Sequence, residues 1–273
     1  MVLCEAKDSC SSVLEADMAE KSSRVPISRA TAPLRQSDGD GNHIHNQILL
    51  RLPAAERDIV FPKLELVRLR GRQMLHEVGD TLKSAYFCNT GMISILTVFS
   101  DGKSIEAGLI GKEGFVGIPL VAGFRSASTR AVVQVEATAL RIDAEALSGF
   151  LQQCHVLERQ LQQCSQMMAM EATQLAACNR LHAVEQRLAR WLLVCSDRLG
   201  TKSLPLTQEL LSQMLGTRRA SVTIAAGILQ KAGFIAQNRG SVTITDRGQL
   251  EQVSCECYGM MLRQRQRWEK DSE

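Results

Sequence analysis

The chain has 273 residues, of which 45% are hydrophobic, and its net charge is +3 at pH 7. This length suits one large domain or two ordinary domains with buried cores. The sequence has no apolar run near the roughly 18 residues of a membrane span, and its first residues lack the apolar stretch of a secretory signal. These features argue against a membrane or secreted protein and predict a cytoplasmic one with no membrane partner.

Residues 1–42 are rich in Ser, Asp, Arg and Ala without hydrophobic periodicity, which predicts a flexible N-terminal tail. Residues 43–150 are predicted to form a β-rich domain. Glycines recur there at intervals of about 8 to 12 residues, the spacing of a sandwich or barrel. Residues 64–70 alternate apolar and polar side chains, and Asp101-Gly102 predicts a hairpin turn.

Residues 151–180 are predicted to form one long amphipathic helix, because neither Gly nor Pro occurs between Phe150 and Leu199. A break is expected near residues 179–183, since one uninterrupted helix would be about 75 Å long. Apolar side chains recur every three or four residues along one face, which we interpret as a dimer seam. A helix packed on its own β domain would show the same pattern. The seam residues are Leu157, Leu161, Cys164, Met168, Ala172 and Leu175.

Residues 181–250 are predicted to form a winged helix-turn-helix, and residues 251–273 a C-terminal helix or tail. Two short amphipathic helices joined at Gly216 are followed by a hairpin that turns at residues 238–240. Thr207 is the expected N-cap of the first helix and Thr217 that of the second.

The second of these helices opens with Arg218 and Arg219, although a cation near a helix N-terminus costs roughly 0.3–1 kcal/mol against the macrodipole. Between Arg180 and Gly248 the sequence has ten cations and four anions, so the positive charge of the chain is concentrated here. Both features predict contact with an anion, double-stranded DNA above all. An ordinary helical hairpin with a solvated basic end is the alternative. The predicted DNA-binding residues are Thr207, Gln208, Thr217, Arg218, Arg219, Ser221, Thr223 and Arg239.

Three further motifs are Gly79-Asp-Thr-Leu, Gly114-Phe-Val-Gly-Ile-Pro and Arg187-Leu-Ala-Arg-Trp-Leu-Leu. With them, the succession of β domain, long helix and winged helix-turn-helix resembles the Crp–Fnr superfamily of bacterial transcription regulators over residues 46–258. The resemblance implies an α+β fold: an N-terminal β-roll (a cyclic-nucleotide-binding-like jelly roll), a long dimerisation helix and a C-terminal winged helix-turn-helix.

The resemblance also implies a homodimeric, sequence-specific regulator whose β-roll modulates DNA binding in response to an unidentified signal. Two-fold symmetry then predicts a pseudo-palindromic site with half-sites about 34–36 Å apart. RNA polymerase could be a further partner.

Arg219 falls where the family places a base-reading arginine, which is suited to a bidentate pair with guanine. Thr207 and Gln208 fall at the phosphate-contacting start of the first helix. Ala220 and Ile224 stand where better-known members carry Glu and Arg, so we expect an operator that differs from that of the cyclic-AMP receptor protein. Ile224 could contact a thymine methyl group or simply pack.

The ligand loop of the β-roll departs from the family pattern. In cyclic-AMP-binding members a Gly-Glu-x-Gly loop and a following Arg-Ser-Ala hold ribose and phosphate, but here Phe115 replaces the Glu. Glu113 would point to the other side of an extended segment. These departures argue against a cyclic nucleotide and favour a relic pocket or one for another ligand. The candidate pocket residues are Gly114, Phe115, Gly117, Arg125, Ser126 and Arg130, and either Arg125 or Arg130 could meet a phosphate.

The chain has nine cysteines, which raises the question of a metal or redox site. Cys4 and Cys10 lack the close spacing of iron–sulfur ligands. Cys255 and Cys257 would lie about 200° apart on a helix, so they are expected not to share one ion. No metal and no cofactor are therefore predicted, and a regulator that senses redox state through thiols or a metal stays an alternative.

Catalytic motifs such as H-E-x-x-H and G-x-S-x-G do not occur, and Gly111-Lys112 lacks the rest of a phosphate-binding loop. The sequence therefore predicts that the protein is not an enzyme and has no catalytic residues. A second alternative is a dimeric interaction module, like a cyclic-nucleotide domain, without DNA affinity. It would differ in lacking salt-dependent DNA binding.

Overall fold

The computed structural model describes residues 28–29 and 44–271 of the chain. Apart from a two-residue strand, the predicted N-terminal tail lies outside the described residues. Within them, we find no helix with the length and hydropathy required to span a lipid bilayer. The fold is α+β and has the predicted order of β-roll, long helix and winged helix-turn-helix.

Two antiparallel sheets are formed by ten strands of the described residues. The strands are β1 (Ser28–Arg29), β2 (Glu65–Leu69), β3 (Met74–His76), β4 (Ser84–Val98), β5 (Ser104–Ile110), β6 (Phe115–Val116), β7 (Arg130–Asp143), β8 (Ser203–Leu204), β9 (Ile235–Asn238) and β10 (Ser241–Ile244). The β-roll sheet has the order β1-β2-β7-β4-β5, with β3 paired to β7 and β6 to β4. The wing sheet has the order β8-β10-β9, and its β9–β10 hairpin turns where predicted, with Gly240 at φ 79°.

Ten α-helices accompany the sheets in the same part of the chain. They are α1 (Gln47–Leu50), α2 (Ala54–Val60), α3 (Ile118–Val121), α4 (Ala144–Leu151), α5 (His155–Leu181), α6 (Val184–Leu199), α7 (Gln208–Met214), α8 (Arg219–Lys231), α9 (Arg247–Val253) and α10 (Cys257–Asp271). A 3-10 turn over Phe61–Lys63 follows α2. Helices α7 and α8 form the helix-turn-helix, and the β9–β10 hairpin is its wing.

The long pairing of β4 with β7 bends the sheet into a roll. Its register shifts between Cys88 and Ile93, as expected where a bulge bends a strand. Gly91 lies inside this bend at φ 76°, and a Cβ there would sit 2.2 Å from the carbonyl oxygen of Glu136. Only glycine therefore permits this approach of the two backbones.

The predicted break in the long helical region is confirmed. Helix α5 ends at Leu181, His182 is extended, and α6 starts at Val184. The side chain of Gln186 accepts a hydrogen bond from the backbone N–H of Ala183, the N-cap of α6, at 3.2 Å. This junction separates the helix of the β-roll from the winged helix-turn-helix, called the winged module below.

The winged module packs on the β-roll through one continuous apolar cluster. Trp191 of α6 lies in the same cluster as Met92 and Leu109 of the roll. The turn between α7 and α8 also approaches β5, where a Cβ on Gly216 would lie 2.3 Å from Cδ1 of Ile105. The two modules therefore share one buried apolar core.

Candidate functional site

The first helix of the helix-turn-helix begins as predicted. The Oγ1 atom of Thr207 accepts a hydrogen bond from the backbone N–H of Leu210 at 3.3 Å and so caps α7. Gly216 then adopts φ 56°, the left-handed conformation that the turn requires.

The prediction that Thr217 caps the second helix is wrong. The backbone N–H of Thr217 donates to the carbonyl of Ser212 at 3.1 Å, so this residue still belongs to the preceding turn. Arg218 is the N-cap of α8, and its side chain makes no capping hydrogen bond. The N–H groups at the start of α8, beside Arg218 and Arg219, therefore have no side-chain cap, an arrangement suited to binding a phosphate.

Helix α8 has one buried and one exposed face. The exposed face includes two large apolar side chains, Ile224 (66% exposed) and Ile228 (52% exposed). Ile224 therefore does not pack in the core, which favours the interpretation that it contacts a thymine methyl group. Val222, Ala225, Ala226 and Leu229 form the buried face, as predicted.

Arg219 lies on this exposed face with 68% of its side chain accessible. Its guanidinium is 3.9 Å from the carboxylate of Glu209, which is itself 77% exposed. Such a solvated pair contributes little to stability. The arginine can therefore exchange Glu209 for a base or phosphate at small cost.

Hydrogen bonds join the first helix, the second helix and the wing. Thr223 Oγ1 donates to Gln208 Oε1 at 3.0 Å, and Gln208 Nε2 donates to Gln237 Oε1 of β9 at 3.4 Å. The structure thus brings together Gln208 and Thr223, two predicted DNA-binding residues. Gln237 was missed by sequence reasoning, because its contribution depends on how the wing folds back.

The two remaining predicted DNA-binding residues differ in accessibility. Arg239 is exposed in the wing turn, beside Gly240. Ser221 is only half-buried, and its backbone N–H donates to the carbonyl of Arg218 at 2.9 Å. Arg239 can therefore reach a neighbouring phosphate, whereas Ser221 lies at the edge of the surface.

Phe115 closes the ligand loop of the β-roll. Its side chain is fully buried, and its ring stacks on that of Phe87 at a centroid distance of 5.8 Å. Gly114 is buried, and its carbonyl accepts from Asn46 Nδ2 at 2.9 Å. Gly117 follows β6 at φ 123°. The loop is therefore a packed part of the core and does not present a ribose-binding acceptor.

The two candidate phosphate-binding arginines lie in different environments. Arg125 and Ser126 are exposed, and Ser126 forms an isolated β-bridge with Thr81. Arg130 is half-buried and pairs with Glu77, its Nη2 lying 2.7 Å from Glu77 Oε2. These residues do not fit a cyclic nucleotide bound in the way the family pattern implies, because one arginine is neutralised and the expected carboxylate is a buried phenylalanine.

The predicted seam of α5 is largely covered by the same chain. Leu157, Leu161 and Cys164 pack in the β-roll core, which corresponds to the alternative interpretation of the seam. Met168 packs against the roll, Ala172 is half-buried and Leu175 is buried. The opposite face of α5 is exposed and carries small and apolar side chains: Ala169, Met170, Thr173, Ala176, Ala177 and Leu181. We call these six residues the α5 stripe.

Two family models match the chain. The cyclic nucleotide-binding domain matches residues 66–154, and the Crp-like helix-turn-helix domain matches residues 186–253. Together they span more than half of the sequence, in the order that the fold shows. The chain belongs to the Crp–Fnr superfamily. It is thus a DNA-binding transcription regulator with a sensory domain of the cyclic nucleotide-binding type.

Solved structures share the fold of this Crp–Fnr chain. FixK2 from Bradyrhizobium japonicum is 15% identical, with a TM-score of 0.62 over 70% of this chain and 98% of that one. The c-di-GMP responsive global regulator CLP from Xanthomonas campestris is 18% identical, with a TM-score of 0.58 over 70% and 99%. A CRP/FNR-family transcriptional regulator from Thermus thermophilus is 20% identical, with a TM-score of 0.57 over 70% and 98%. No curated protein sequence matches the chain.

A buried ionic network joins the sensory and DNA-binding parts of this Crp–Fnr regulator. Arg198 of α6 lies 2.7 Å from Glu113, which precedes β6, and 2.9 Å from Glu171 of α5. Arg265 of α10 lies 2.9 Å from Glu171. Burial raises the pKa of Glu113, but Arg198 and Arg265 outweigh it, so this pKa is lowered overall. Glu113 lies in a turn rather than in the extended segment that was expected, and its carboxylate binds Arg198.

A second polar contact between the two parts is centred on Glu106 of β5. Trp191 Nε1 of α6 donates to Glu106 Oε1 at 2.8 Å, and Ser94 Oγ donates to Oε2 at 3.2 Å. Burial raises the pKa of Glu106 to about 7, although the hydrogen bond from Trp191 acts in the opposite direction. This carboxyl group can consequently change its charge near neutral pH.

The expectation that Cys255 and Cys257 would not share one ion assumed that both lie on one helix, and that assumption is wrong. Helix α9 ends at Val253, Ser254 is extended, and α10 starts only at Cys257. The turn between the helices brings both thiols to Cys178 of α5. The signal that sequence reasoning missed is the contact of α10 with α5, which is not local in sequence.

Proposed function

We propose that this regulator binds DNA as a homodimer and reads a specific sequence with the exposed face of α8. The observation that carries the proposal is the N-terminus of α8. There Arg218 and Arg219, both exposed, flank backbone N–H groups without a side-chain cap. This end of α8 offers both a charge and hydrogen-bond donors to the edge of a base pair and its phosphate.

Arg219 and Ile224 are the proposed base-reading residues. Both side chains are largely exposed on α8, about 140° apart around the helix axis. Arginine suits the two acceptors of guanine, and an isoleucine side chain suits the methyl group of thymine. The proposed operator therefore combines G·C and A·T recognition within each half-site.

The remaining contacts would position the protein on the phosphate backbone. Gln208 and Thr223 are already joined by a hydrogen bond, which reduces the conformational entropy they lose on binding. Arg239 would extend these contacts from the wing. Contacts of this kind orient the helix in the groove but carry no sequence information.

The α5 stripe is the proposed dimer contact. It runs along a 27-residue helix, and the exposure of Leu181 (74%) is high for a leucine side chain. Small residues such as Ala176 and Ala177 permit close approach of a second α5. A dimer about this helix would set the two α8 helices at successive major grooves, about 34–36 Å apart.

The sensory role of the β-roll is proposed without a cyclic nucleotide. Phe115 and the Arg130–Glu77 pair support this view, since both remove groups that would hold the ribose and phosphate. The signal would instead act through the contacts that join the roll to α6, centred on Arg198 and on Glu106.

The experiment that tests the proposed function is selection of bound duplexes from a random DNA library, with the affinity of the winners followed against salt. Enrichment of a two-fold-symmetric site with half-sites one helical turn apart is the expected result. A steep fall of affinity with salt would accompany it, because phosphate contacts release counterions. Absence of binding at low salt would overturn the proposal and favour an interaction module.

The dimer contact is tested separately. Met170→Glu should weaken dimerisation, measured by sedimentation velocity, and an unchanged dimer would exclude the α5 stripe as the contact.

A further inference from the structure

Four potential metal ligands converge at the junction of α5, α6 and α10. Cys178 lies in the last turn of α5, His182 directly follows that helix, Cys255 lies in the turn before α10, and Cys257 is the first residue of α10. One ligand atom from each residue lies within 4.8 Å of all the others. We call these four residues the CCCH cluster.

Two distances within the CCCH cluster match the edges of a tetrahedron around one ion. The Sγ atoms of Cys178 and Cys255 are 3.5 Å apart, and Cys257 Sγ is 3.6 Å from Nδ1 of His182. With Zn–S bonds of about 2.3 Å and Zn–N bonds of about 2.0 Å, the edges of a tetrahedron are roughly 3.5–3.8 Å. An iron–sulfur cluster contains several metal and sulfide ions and requires its protein ligands further apart. The spacing therefore indicates a single ion.

One ligand accepts an outer hydrogen bond, and a carboxylate lies near a second ligand. Gln174 Nε2 donates to Cys257 Sγ at 3.0 Å. The other ring nitrogen of His182, Nε2, lies 4.0 Å from a carboxylate oxygen of Glu256. A histidine whose second nitrogen faces a carboxylate is the usual arrangement around a histidine that binds a metal.

The charge around the CCCH cluster also favours a bound cation with thiolates. Arg190 and Arg187 are at least nine-tenths buried, and the Nε atom of each has no hydrogen-bond partner among the described residues. Arg190 interacts electrostatically with Cys178 and Cys255. Three thiolates and one divalent ion have a net charge of −1, which would compensate this otherwise costly buried positive charge.

An interpretation of these cysteines as ordinary core residues explains less. The three thiols are buried but form a small cluster of their own, separate from the three large apolar clusters of the described residues. An imidazole, a carboxamide and two arginines surround them, so the environment is polar. A buried cysteine that acts only as a small apolar residue gains nothing from such neighbours.

We propose that Cys178, His182, Cys255 and Cys257 bind one divalent cation of the zinc class in a closed, structural site. All four positions of a tetrahedral ion are then filled by protein ligands, which is typical of structural sites. The ion would fasten α10 to the junction where α5 passes the chain to the DNA-binding module. Because the pose of α6 and α8 depends on this junction, occupancy of the site would alter DNA affinity.

The test uses the full chain, reduced and loaded with Zn²⁺ or Co²⁺ alone. We expect one equivalent of Zn²⁺ by elemental analysis and, with Co²⁺, the intense visible bands of a tetrahedral thiolate site. X-ray absorption of the zinc form should show three sulfur ligands and one nitrogen ligand. A sub-stoichiometric zinc content, an octahedral Co²⁺ spectrum or assembly of an iron–sulfur cluster in place of the single ion would overturn the proposal.

Variants of the ligands and of their neighbour Gln174 test the site through Zn²⁺ affinity, independently of the spectra. Cys178→Ser and Cys257→Ser should weaken Zn²⁺ binding by more than about 100-fold, and Gln174→Ala, which removes an outer hydrogen bond, by about 10–100-fold. Cys164→Ala is the matched control, because Cys164 is buried on the same helix but distant in sequence and in a different cluster. If a ligand variant fails to fold, the Zn²⁺ affinity of Gln174→Ala still tests the site. The site would be refuted if Gln174→Ala and a ligand variant that folds both bound Zn²⁺ as tightly as the parent.

The effect on DNA rests on the proposed function and is measured separately. Removal of Zn²⁺ by a chelator should reduce affinity for the selected operator by about 5-fold to 150-fold, and re-addition should restore it. If the protein binds stoichiometric zinc but its operator affinity does not depend on the ion, the coupling of the site to DNA binding is refuted and the zinc site itself stands. If it binds stoichiometric zinc but no DNA, the proposed function is refuted and the zinc site again stands. Rapid formation of a Cys178–Cys255 disulfide in the zinc-loaded protein would instead indicate a thiol switch and overturn the proposal.

Discussion

Helix α8 and the ligand loop of the β-roll are the two regions that the family pattern assigns to binding, of DNA and of a small ligand respectively. They differ in how far their key side chains are exposed. On α8 the key positions are exposed, and Arg219 is held only by a solvated carboxylate among the described residues. In the β-roll the corresponding position is filled by Phe115, and Arg130 is already paired. The key side chains of α8 are accessible, whereas the ligand-loop position of Phe115 lies in the core and Arg130 already has a carboxylate partner.

The largest effect is expected from returning a carboxylate to the ligand loop. Phe115→Glu should destabilise the folded protein by roughly 3–5 kcal/mol, because it removes a stacked aromatic ring and buries an unpaired charge. Chemical denaturation measures this free energy of unfolding. Phe124→Glu is the control, since Phe124 is 67% exposed and a change there should stay within about 0.5 kcal/mol. A well-folded Phe115→Glu that binds a cyclic nucleotide would break the comparison.

The next effect concerns Glu106, which joins the β-roll to α6 through its hydrogen bond with Trp191. Its pKa in the folded protein is raised to about 7 from an ordinary value of 4.5. The folded protein therefore holds more protons than the unfolded chain between these values, so stability falls as the pH rises through this window. Glu106→Gln should remove this fall and leave the variant more stable than the parent above pH 7 by about 1–3 kcal/mol.

Denaturation at a series of pH values checks the prediction for Glu106. The quantity of interest is the difference in stability between variant and parent, since other groups also titrate. Glu136→Gln is the matched control, because Glu136 is an exposed glutamate of the same β-roll. A constant difference across the pH range would show that Glu106 does not titrate in this window.

How far the sequence could predict this molecule depends on whether each signal is local. The cap at Thr207 and the glycine at residue 216 determine their turns through adjacent residues, so the helix-turn-helix could be located closely. The periodicity of α5 identified an apolar face, but it could not tell a partner chain from the chain's own roll, which covers Leu157 and Leu161. Whether α5 pairs with a second α5 stays a prediction.

The CCCH cluster could not be predicted, because it joins residues 77 positions apart. Its formation requires α9 to end at Val253 and α10 to return along α5. The ligand loop could be predicted in part. The sequence shows that Phe115 replaces the expected Glu, but only the structure shows that Phe115 stacks on Phe87 and that Arg130 pairs with Glu77.

A moderate effect on DNA affinity is expected at Arg219. Arg219→Ala should weaken binding to the selected operator by about 1–3 kcal/mol and relax the preference at one base position. Competition binding with operators mutated one base pair at a time measures both quantities. Lys231→Ala is the control, because it removes a cation from the far end of the same helix. Equal weakening on every sequence would instead make Arg219 a phosphate contact.

The smallest effect, and the one that most sharpens the comparison, is expected at Ile224. Its side chain is 66% exposed, so Ile224→Ala should change the free energy of unfolding by less than about 0.5 kcal/mol. If the side chain contacts a thymine methyl group, the variant should lose roughly 1 kcal/mol of discrimination at one A·T pair and nothing elsewhere. Replacing that thymine by uracil, which lacks the methyl group, should weaken the parent but not the variant. An equal loss in both proteins would show that Ile224 does not read the base, and an exposed apolar side chain on α8 would then need another partner.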